Sequence, residues 1–347
     1  MSDWIDALAR LRSQDASAVI VTIASTKGSA PREAGTKMVV SRDCVVGTIG
    51  GGHLEHQAIA IAREMIDVGH AADAPLRRFA LGASLGQCCG GVVNLLFEPS
   101  AGDAQWLATL IDLRTARIGC ALVSPIGGSS RDKLVATAQH VHGAVDAFDV
   151  EVIARARDLL VRGESAELWN GTYLIEPIVP SDFEIVLFGA GHVGRALVRV
   201  LADIRCRIAW VDSRENAFPA DLPANVAAID TDSPEAEVDA AHPGSYFVVM
   251  THSHATDETL TERILRRNDF AYFGLIGSQA KRTQFERRLE RRGIPRARFA
   301  SMRCPIGVDG IPGKEPATIA IAAAAELLQA HANALARHTH TTTARRA

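Results

Sequence analysis

The chain reads as α/β, with a C-terminal Rossmann-like, doubly wound parallel sheet and an N-terminal α+β domain that looks like an internal duplication. Three observations predict this. The apolar run Glu184-Ile-Val-Leu-Phe188 passes through Gly189-x-Gly191-x-x-Gly194 into an amphipathic helix that ends near Asp203. A second run, Arg207 to Asp212, ends in a carboxylate at the spacing expected of a ribose contact. Further apolar runs at Val226–Ile229, Tyr246–Met250 and Tyr272–Ile276 alternate with helical patterns at Asp257–Arg267 and Gln279–Arg292, as parallel βαβ units require.

The three glycines of the loop have separate tasks. Gly189 permits the tight turn, Gly191 lets a phosphate approach the backbone, and Gly194 lets helix and strand pack closely, while the helix N-terminus offers unpaired N–H groups to an anion. The strand order 3-2-1-4-5 places the switch point between the first and fourth strands. Gly189 to Gly194 then faces Thr251-His252-Ser253-His254, with Asp257 a few residues beyond and Ser278 on the rim of the same crevice.

The 347 residues, 47% hydrophobic and 22% charged, suffice for two cores. A net charge of −3 gives no global attraction to nucleic acid or to an anionic membrane, so neither is expected as a partner. Met1–Leu11 has no signal-peptide pattern and the alanine-rich run Ala317–Leu328 is too short to span a bilayer, so a cytoplasmic protein is expected. Six cysteines in such a chain read as reduced thiols, with Cys44, Cys120, Cys206 and Cys304 in the core.

In chain order, a helix to Ser13 leads to a strand at Ala18–Ala24 and a polar loop, Ser25–Gly35. A hairpin follows at Thr36–Val40 and Cys44–Ile49, after which Gly50-Gly51-Gly52 opens a helix from His53 to Ile66. Strands at Leu76–Leu81 and Val92–Phe97 flank a second glycine-rich loop, Gly82–Gly91. From Asp103 the pattern repeats, and Val19-Ile-Val-Thr-Ile-Ala-Ser-Thr aligns with Ile118-Gly-Cys-Ala-Leu-Val-Ser-Pro. The second copy lacks the Pro-Arg, Gly-Gly-Gly and Cys-Cys-Gly-Gly elements, so the first copy is expected to hold the chemistry. Pro177 to Asp182 reads as the linker, which gives domains at 1–178 and 183–337 and a disordered tail at 338–347.

Cys88-Cys89 stands in a loop whose glycines leave a sulfur accessible, although buried inert thiols would fit the same residues. His53, Glu55 and His56 share the start of a helix and could hold a metal, or be an ordinary helix start. Gly50 to Gly52 could offer N–H groups to an anion, with Lys27, Ser29 and Arg32 supplying charge and a hydroxyl from the facing loop. His252 and His254 could orient a ligand or exchange a proton. The basic helix after Ser278, with Lys281 and Arg282 in its first turn, reads as a solvated face; its first turn could reach a phosphate and the remainder an acidic partner.

These residues in combination resemble the xanthine dehydrogenase accessory family, XdhC/CoxI. The resemblance rests on Ser25-Thr-Lys-Gly-Ser-Ala-Pro-Arg-Glu-Ala-Gly-Thr-Lys-Met38, Gly47-Thr-Ile-Gly-Gly-Gly-His-Leu-Glu55, Cys89-Gly-Gly91, Phe188-Gly-Ala-Gly-His-Val-Gly194, Thr251–Asp257, Gly274–Ser278 and Pro305–Gly307. His53 stands where many CoxI-like members carry cysteine, which favours the XdhC branch. The resemblance implies a maturation factor that binds molybdenum cofactor (molybdopterin), holds it for sulfuration and passes it to a xanthine dehydrogenase apoenzyme. It also implies a cysteine desulfurase as sulfur donor and a homodimer. On this reading Cys89 lies near the metal, and Lys27, Ser29, Arg32, Gly50, Gly51, Gly52 and Glu55 surround pterin or phosphate. The Rossmann crevice, with Gly189, Gly191, Gly194, Asp212, His252, His254, Asp257 and Ser278, takes a nucleotide such as NAD(P) or the cofactor's phosphate side. The alternatives are an NAD(P)-dependent oxidoreductase, with Asp212 on the ribose and His252 or His254 as proton donor, and a nucleotide-sensing adaptor.

Overall fold

The computed structural model describes residues 4–68, 76–82, 90–100, 105–127, 133–180 and 183–344, with side chains to 335. The chain divides into two compact units, one ending at Pro180 and one beginning at Ser181.

The first unit runs α1 (Trp4–Ser13), β1 (Ala18–Lys27), β2 (Lys37–Ser41), β3 (Val45–Gly47), α2 (Gly52–Asp67), β4 (Leu76–Ala80) and β5 (Val92–Pro99). It then repeats as α3 (Gln105–Thr115), β6 (Cys120–Pro125), β7 (Leu134–Thr137), β8 (Val141–His142), α4 (Val150–Arg162), β9 (Glu167–Trp169) and β10 (Tyr173–Ile178). The sheets have the orders β3-β2-β1-β5-β4 and β8-β7-β6-β10-β9, the same topology twice. The duplication is therefore real at the level of the fold. Strand pairing corrects its register, however: Thr22, next to Lys37, and Ser124, beside Lys133, are the equivalent positions, whereas sequence matching set Ala121 against Thr22.

The first seven residues of β1, apolar but for Thr22, are buried because both faces of the strand are covered. Val19, Val21 and Ile23 pack under α2, and Ala18 and Ile20 enter a core shared with α1, α3 and the second sheet through Leu122 and Val135. α4 covers the second sheet as α2 covers the first. Within the shared core the two copies exchange ion pairs. Lys37 Nζ lies 2.5 Å from Glu176 and Lys133 Nζ lies 2.5 Å from Glu98, each lysine also standing over an indole, Trp4 or Trp106. The segment read as a linker is shorter than expected, since Pro177 and Ile178 pair with Ala121 and Cys120. Proline is tolerated there because β9 pairs only with Tyr173–Ile175, which leaves Pro177 without a neighbour on that side.

The second unit runs β11 (Glu184–Phe188), α5 (His192–Leu201), β12 (Arg207–Asp212), β13 (Val226–Asp230), α6 (Pro234–Ala240), β14 (Tyr246–Val249), α7 (His254–Arg266), β15 (Tyr272–Leu275), α8 (Gln279–Arg291), β16 (Met302–Arg303) and α9 (Pro316–Ala344). The all-parallel order β13-β12-β11-β14-β15-β16 is the expected one with β16 added at the edge. α5 and α9 cover one face, with Leu197, Val198 and Leu201 meeting Ala320, Ala323, Ala324 and Leu327. α6, α7 and α8 cover the other through Val238, Leu260, Ile264, Phe285 and Leu289. The alanines of α9 thus serve helix packing, and among the described residues no helix is long and apolar enough to cross a membrane. α9 also runs on to Ala344, through most of the segment read as a disordered tail, because the alanines that begin it propagate helix past Leu335.

Candidate functional site

In the first unit the chain leaves β1 through an exposed loop that carries Lys27, Ser29 and Arg32. Glycines bring two segments onto it. A Cβ at Gly91 would stand 2.2 Å from the Ser29 carbonyl oxygen and 2.8 Å from that of Lys27, and one at Gly28 would stand 3.3 Å from Gly91 Cα. On the other side a Cβ at Gly50 would meet Pro31 at 2.7 Å and Arg32 Cγ at 3.2 Å. Side chains at these positions would force the segments apart. Gly82 and Gly90, at the ends of the intervening segment, are also neighbours, a Cβ at Gly82 standing 4.0 Å from Gly90 Cα. Cys88 and Cys89 lie outside the described residues.

Of Gly50 to Gly52, read as donors to an anion, two have their N–H groups bonded within the chain. Gly51 N–H donates to Glu55 Oε2 at 3.0 Å and Gly50 N–H to Thr48 Oγ1 at 3.0 Å, while Ile49 N–H and the Thr48 hydroxyl also donate to Glu55 Oε2. Glu55 thus reaches back from the first turn of α2 to the amide of its N-cap, Gly51, as a capping glutamate does. That commitment removes it from a metal set with His53 and His56, and no cluster able to hold a metal occurs among the described residues. Glu55→Ala is expected to destabilise the chain by about 1–3 kcal/mol, because the buried Ile49 N–H loses its acceptor. Urea denaturation checks this, and an unchanged midpoint would show that the capping bonds contribute nothing.

In the second unit the glycine loop sits at the switch point. A Cβ at Gly189 (φ 111°) would stand 2.3 Å from the Met250 carbonyl oxygen, and one at Gly194 would stand 2.1 Å from the Gly189 carbonyl oxygen. Both glycines serve packing. A Cβ at Gly191, the N-cap of α5, would meet nothing within 4 Å, so this face is open to a ligand. Asp212, 2% exposed at its side chain, is fully engaged. Oδ2 accepts from Ala190 N–H at 2.6 Å and from Arg214 Nη2 at 2.8 Å, and Oδ1 accepts from Arg214 N–H at 3.0 Å and Nε at 2.9 Å. Burial alone would raise its pKa, but the Arg214 bonds and the two backbone N–H groups outweigh it and hold the carboxyl down at about 2. Read from the sequence as a ribose ligand, it here ties the glycine loop to Arg214.

Asp257 is likewise internal. It accepts from Thr251 N–H at 3.1 Å, from Thr251 Oγ1 at 2.7 Å and from Lys281 Nζ at 2.6 Å, with both partners of that ion pair nearly sealed from solvent. The Thr251 turn is thereby pinned to the start of α8. Ser278 caps that helix by accepting from Lys281 N–H at 3.3 Å. His252 and His254 are exposed, and His254 lines an open cavity of about 710 Å³ with Ala255, Glu258, Thr259, Arg288, Arg291 and Arg292. Cys120 and Cys206 are buried, which pushes each thiol up to about 11, far from thiolate chemistry, and burial raises Cys304 as well. Cys44 is only half-buried, bonded to Ser41.

Comparison with known proteins decides what carries these two loop systems. Residues 185–327 match the XdhC Rossmann domain, and residues 11–80 match the XdhC and CoxI family. The chain belongs to the XdhC and CoxI family. A Bacillus halodurans protein whose crystal structure is described as that of a xanthine dehydrogenase is similar in fold, with a TM-score of 0.73 and 21% identity over 95% of this chain and 96% of that one. The uncharacterized protein YqeB of Escherichia coli K12 is 31% identical over 153 residues, 43% of this chain; the match spans only 28% of YqeB. The two matches to the XdhC and CoxI family fall on the loops just described: Lys27–Arg32 and Gly50–Glu55 in one, Gly189–Gly194 with Asp212 and Asp257 in the other. Sequence reasoning missed Arg214, and it read Lys281 as a first-turn cation able to reach a phosphate rather than as the partner of Asp257. Both are basic residues whose carboxylate partners, Asp212 and Asp257, were already in view, so an unpaired carboxylate near a strand end was the available signal.

Proposed function

We propose that this XdhC and CoxI family chain is a maturation factor for a xanthine dehydrogenase, binding molybdenum cofactor, holding it for sulfuration and delivering it to the apoenzyme. The observation that carries this reading is the meeting of the exposed Lys27–Arg32 loop with Gly91, two residues after Cys89 in the sequence. Lys27, Ser29 and Arg32 are donors suited to the phosphate of molybdopterin, and no described side chain competes for them. The Gly50–Gly51 amides do not join them, since Thr48 and Glu55 take both.

When bound, the cofactor supplies a dithiolene-held metal, and the chain's part is to hold its phosphate and shield the metal end. Cys89 is the soft donor of the reading, as a metal contact or a carrier of sulfur from a cysteine desulfurase. A homodimeric assembly belongs to the same proposal. The oxidoreductase alternative relied on Asp212 to accept from ribose hydroxyls, and its acceptor sites are filled.

The test is the pterin and molybdenum content of protein purified from a cofactor-producing host, read by fluorescence and elemental analysis. Stoichiometric content is expected. Cys89→Ser should lower cofactor retention or activation of apo xanthine dehydrogenase more than Cys88→Ser, with circular dichroism unchanged. Absence of both pterin and molybdenum after anaerobic reconstitution overturns the proposal.

A further inference from the structure

We propose that the crevice of the second unit selects a nucleotide that carries a phosphate on its ribose, through Arg214, and discriminates against the same nucleotide with a free ribose diol. A free diol is read in such folds by a carboxylate at the end of the second strand, which accepts from the ribose hydroxyls. Asp212 holds that position and has no room for them. A carboxylate offers about four acceptor sites, and here Ala190 N–H, Arg214 N–H, Arg214 Nε and Arg214 Nη2 fill them, behind a side chain 2% exposed.

The group at the surface is the guanidinium. Arg214 is 42% exposed at its side chain and its guanidinium is held by two bonds, from Nε and Nη2, to one carboxylate, so its orientation is set before any ligand arrives. Nε and one Nη2 hydrogen face Asp212, which leaves the Nη1–Nη2 edge for a second bidentate contact, the geometry that suits a phosphate. Asp212 Oδ2 is shared by Arg214 and Ala190 N–H, which brings the guanidinium to the glycine loop, one residue from the open face of Gly191. The carboxylate lies behind the guanidinium and offsets part of its charge, so recognition rests on the directed N–H groups more than on net charge. This inference concerns the second unit and stands apart from the cofactor reading of the first.

The experiment titrates the full-length chain with NADP⁺ and with NAD⁺, which differ only in the ribose 2′-phosphate, at one ionic strength. Trp210, whose Nε1 donates to the Gly189 carbonyl at 3.1 Å, supplies a fluorescence signal from the glycine loop, and calorimetry supplies an independent one. The 2′-phosphorylated nucleotide is expected to bind about tenfold more tightly or better, as one charge-assisted bidentate contact warrants. Arg214→Leu should reduce the difference to less than about twofold, and Arg214→Lys, which keeps the charge without the fork, should fall between. Arg214→Lys also covers the case in which the leucine variant fails to fold around an unpaired Asp212. Equal or tighter binding of NAD⁺ overturns the proposal, as does no binding of either nucleotide by folded protein. Pyrophosphate binding as tight as NADP⁺ overturns it too, since charge alone would then explain the affinity. Pterin and molybdenum are assayed on the same preparation, so a cofactor-free chain that still discriminates keeps this inference while sinking the other.

Discussion

Gly189→Ala is expected to unfold the second unit, or to destabilise it by more than about 4 kcal/mol, the range reached when a core position has no way to relax. The added methyl would stand 2.3 Å from the Met250 carbonyl oxygen and 2.7 Å from its carbon, both backbone atoms of the neighbouring strand end, and the residue sits at φ 111°. Neither constraint can yield without parting β11 from β14 at the switch point. Gly191→Ala is the control, since nothing lies within 4 Å of its methyl and its φ is −75°. A non-capping residue at an N-cap costs about 1 kcal/mol, so this variant should fold and lose ligand approach instead. Trp210 is the second unit's own tryptophan and bonds to the Gly189 carbonyl, so its emission reports the unfolding. Equal midpoints for the two variants would remove the packing argument.

The contrast between these glycines shows what the sequence made legible. The strand–turn–helix pattern, the strand order and the facing of Gly189 toward Thr251 follow from apolar periodicity and glycine spacing, which are local signals. The partner of a polar group is not local in the same sense. Asp212 stands at the ribose position by spacing, yet an arginine two residues on takes it up; Glu55 stands in a plausible metal cluster, yet four residues back Gly51 needs an acceptor. In both cases an unsatisfied backbone N–H close in sequence competes for the carboxylate, and the demand for buried polar groups to be paired decides against the exposed ligand role. α6 and β16, of seven and two residues, are too short to show a period.

The repeat register failed for a related reason. Matching apolar residues in β1 and β6 can slip, because Ala18–Ala24 and Cys120–Ser124 consist almost wholly of small or aliphatic residues. The charged residues would have fixed it. Phe97-Glu98-Pro99 and Ile175-Glu176-Pro177 occupy corresponding places at the ends of β5 and β10, and Lys37 and Lys133 stand at the start of β2 and just before β7. A glutamate and a lysine within otherwise apolar strands signal buried pairing. Which glutamate meets which lysine could not be read, because each pair joins one copy to the other across many residues of chain.

Lys37→Met is accordingly expected to destabilise the first unit by about 3–5 kcal/mol, the range for removing one partner of a buried ion pair. Methionine keeps the stem packed against Trp4, whose ring lies 4.6 Å from Lys37 Nζ, so the loss reports the charge left behind on Glu176, 5% exposed at its side chain. Lys37→Met with Glu176→Leu should recover most of that loss. Glu176 Oε2 has no hydrogen-bond partner among the described residues, so even the intact pair is incompletely satisfied and a pair of apolar residues is a fair replacement. Lys133 differs from Lys37 in one respect, since it also donates to Ser124 Oγ at 2.8 Å, whereas the equivalent Thr22 hydroxyl has no partner among the described residues. Lys133→Met with Glu98→Leu should therefore recover less, because Ser124 would be left buried without its donor. Urea denaturation of the two double-mutant cycles measures both terms. A Lys37→Met loss below about 0.5 kcal/mol, the scale of an exposed pair, would mean that water reaches Glu176 and that the exchanged pairs do not join the two copies.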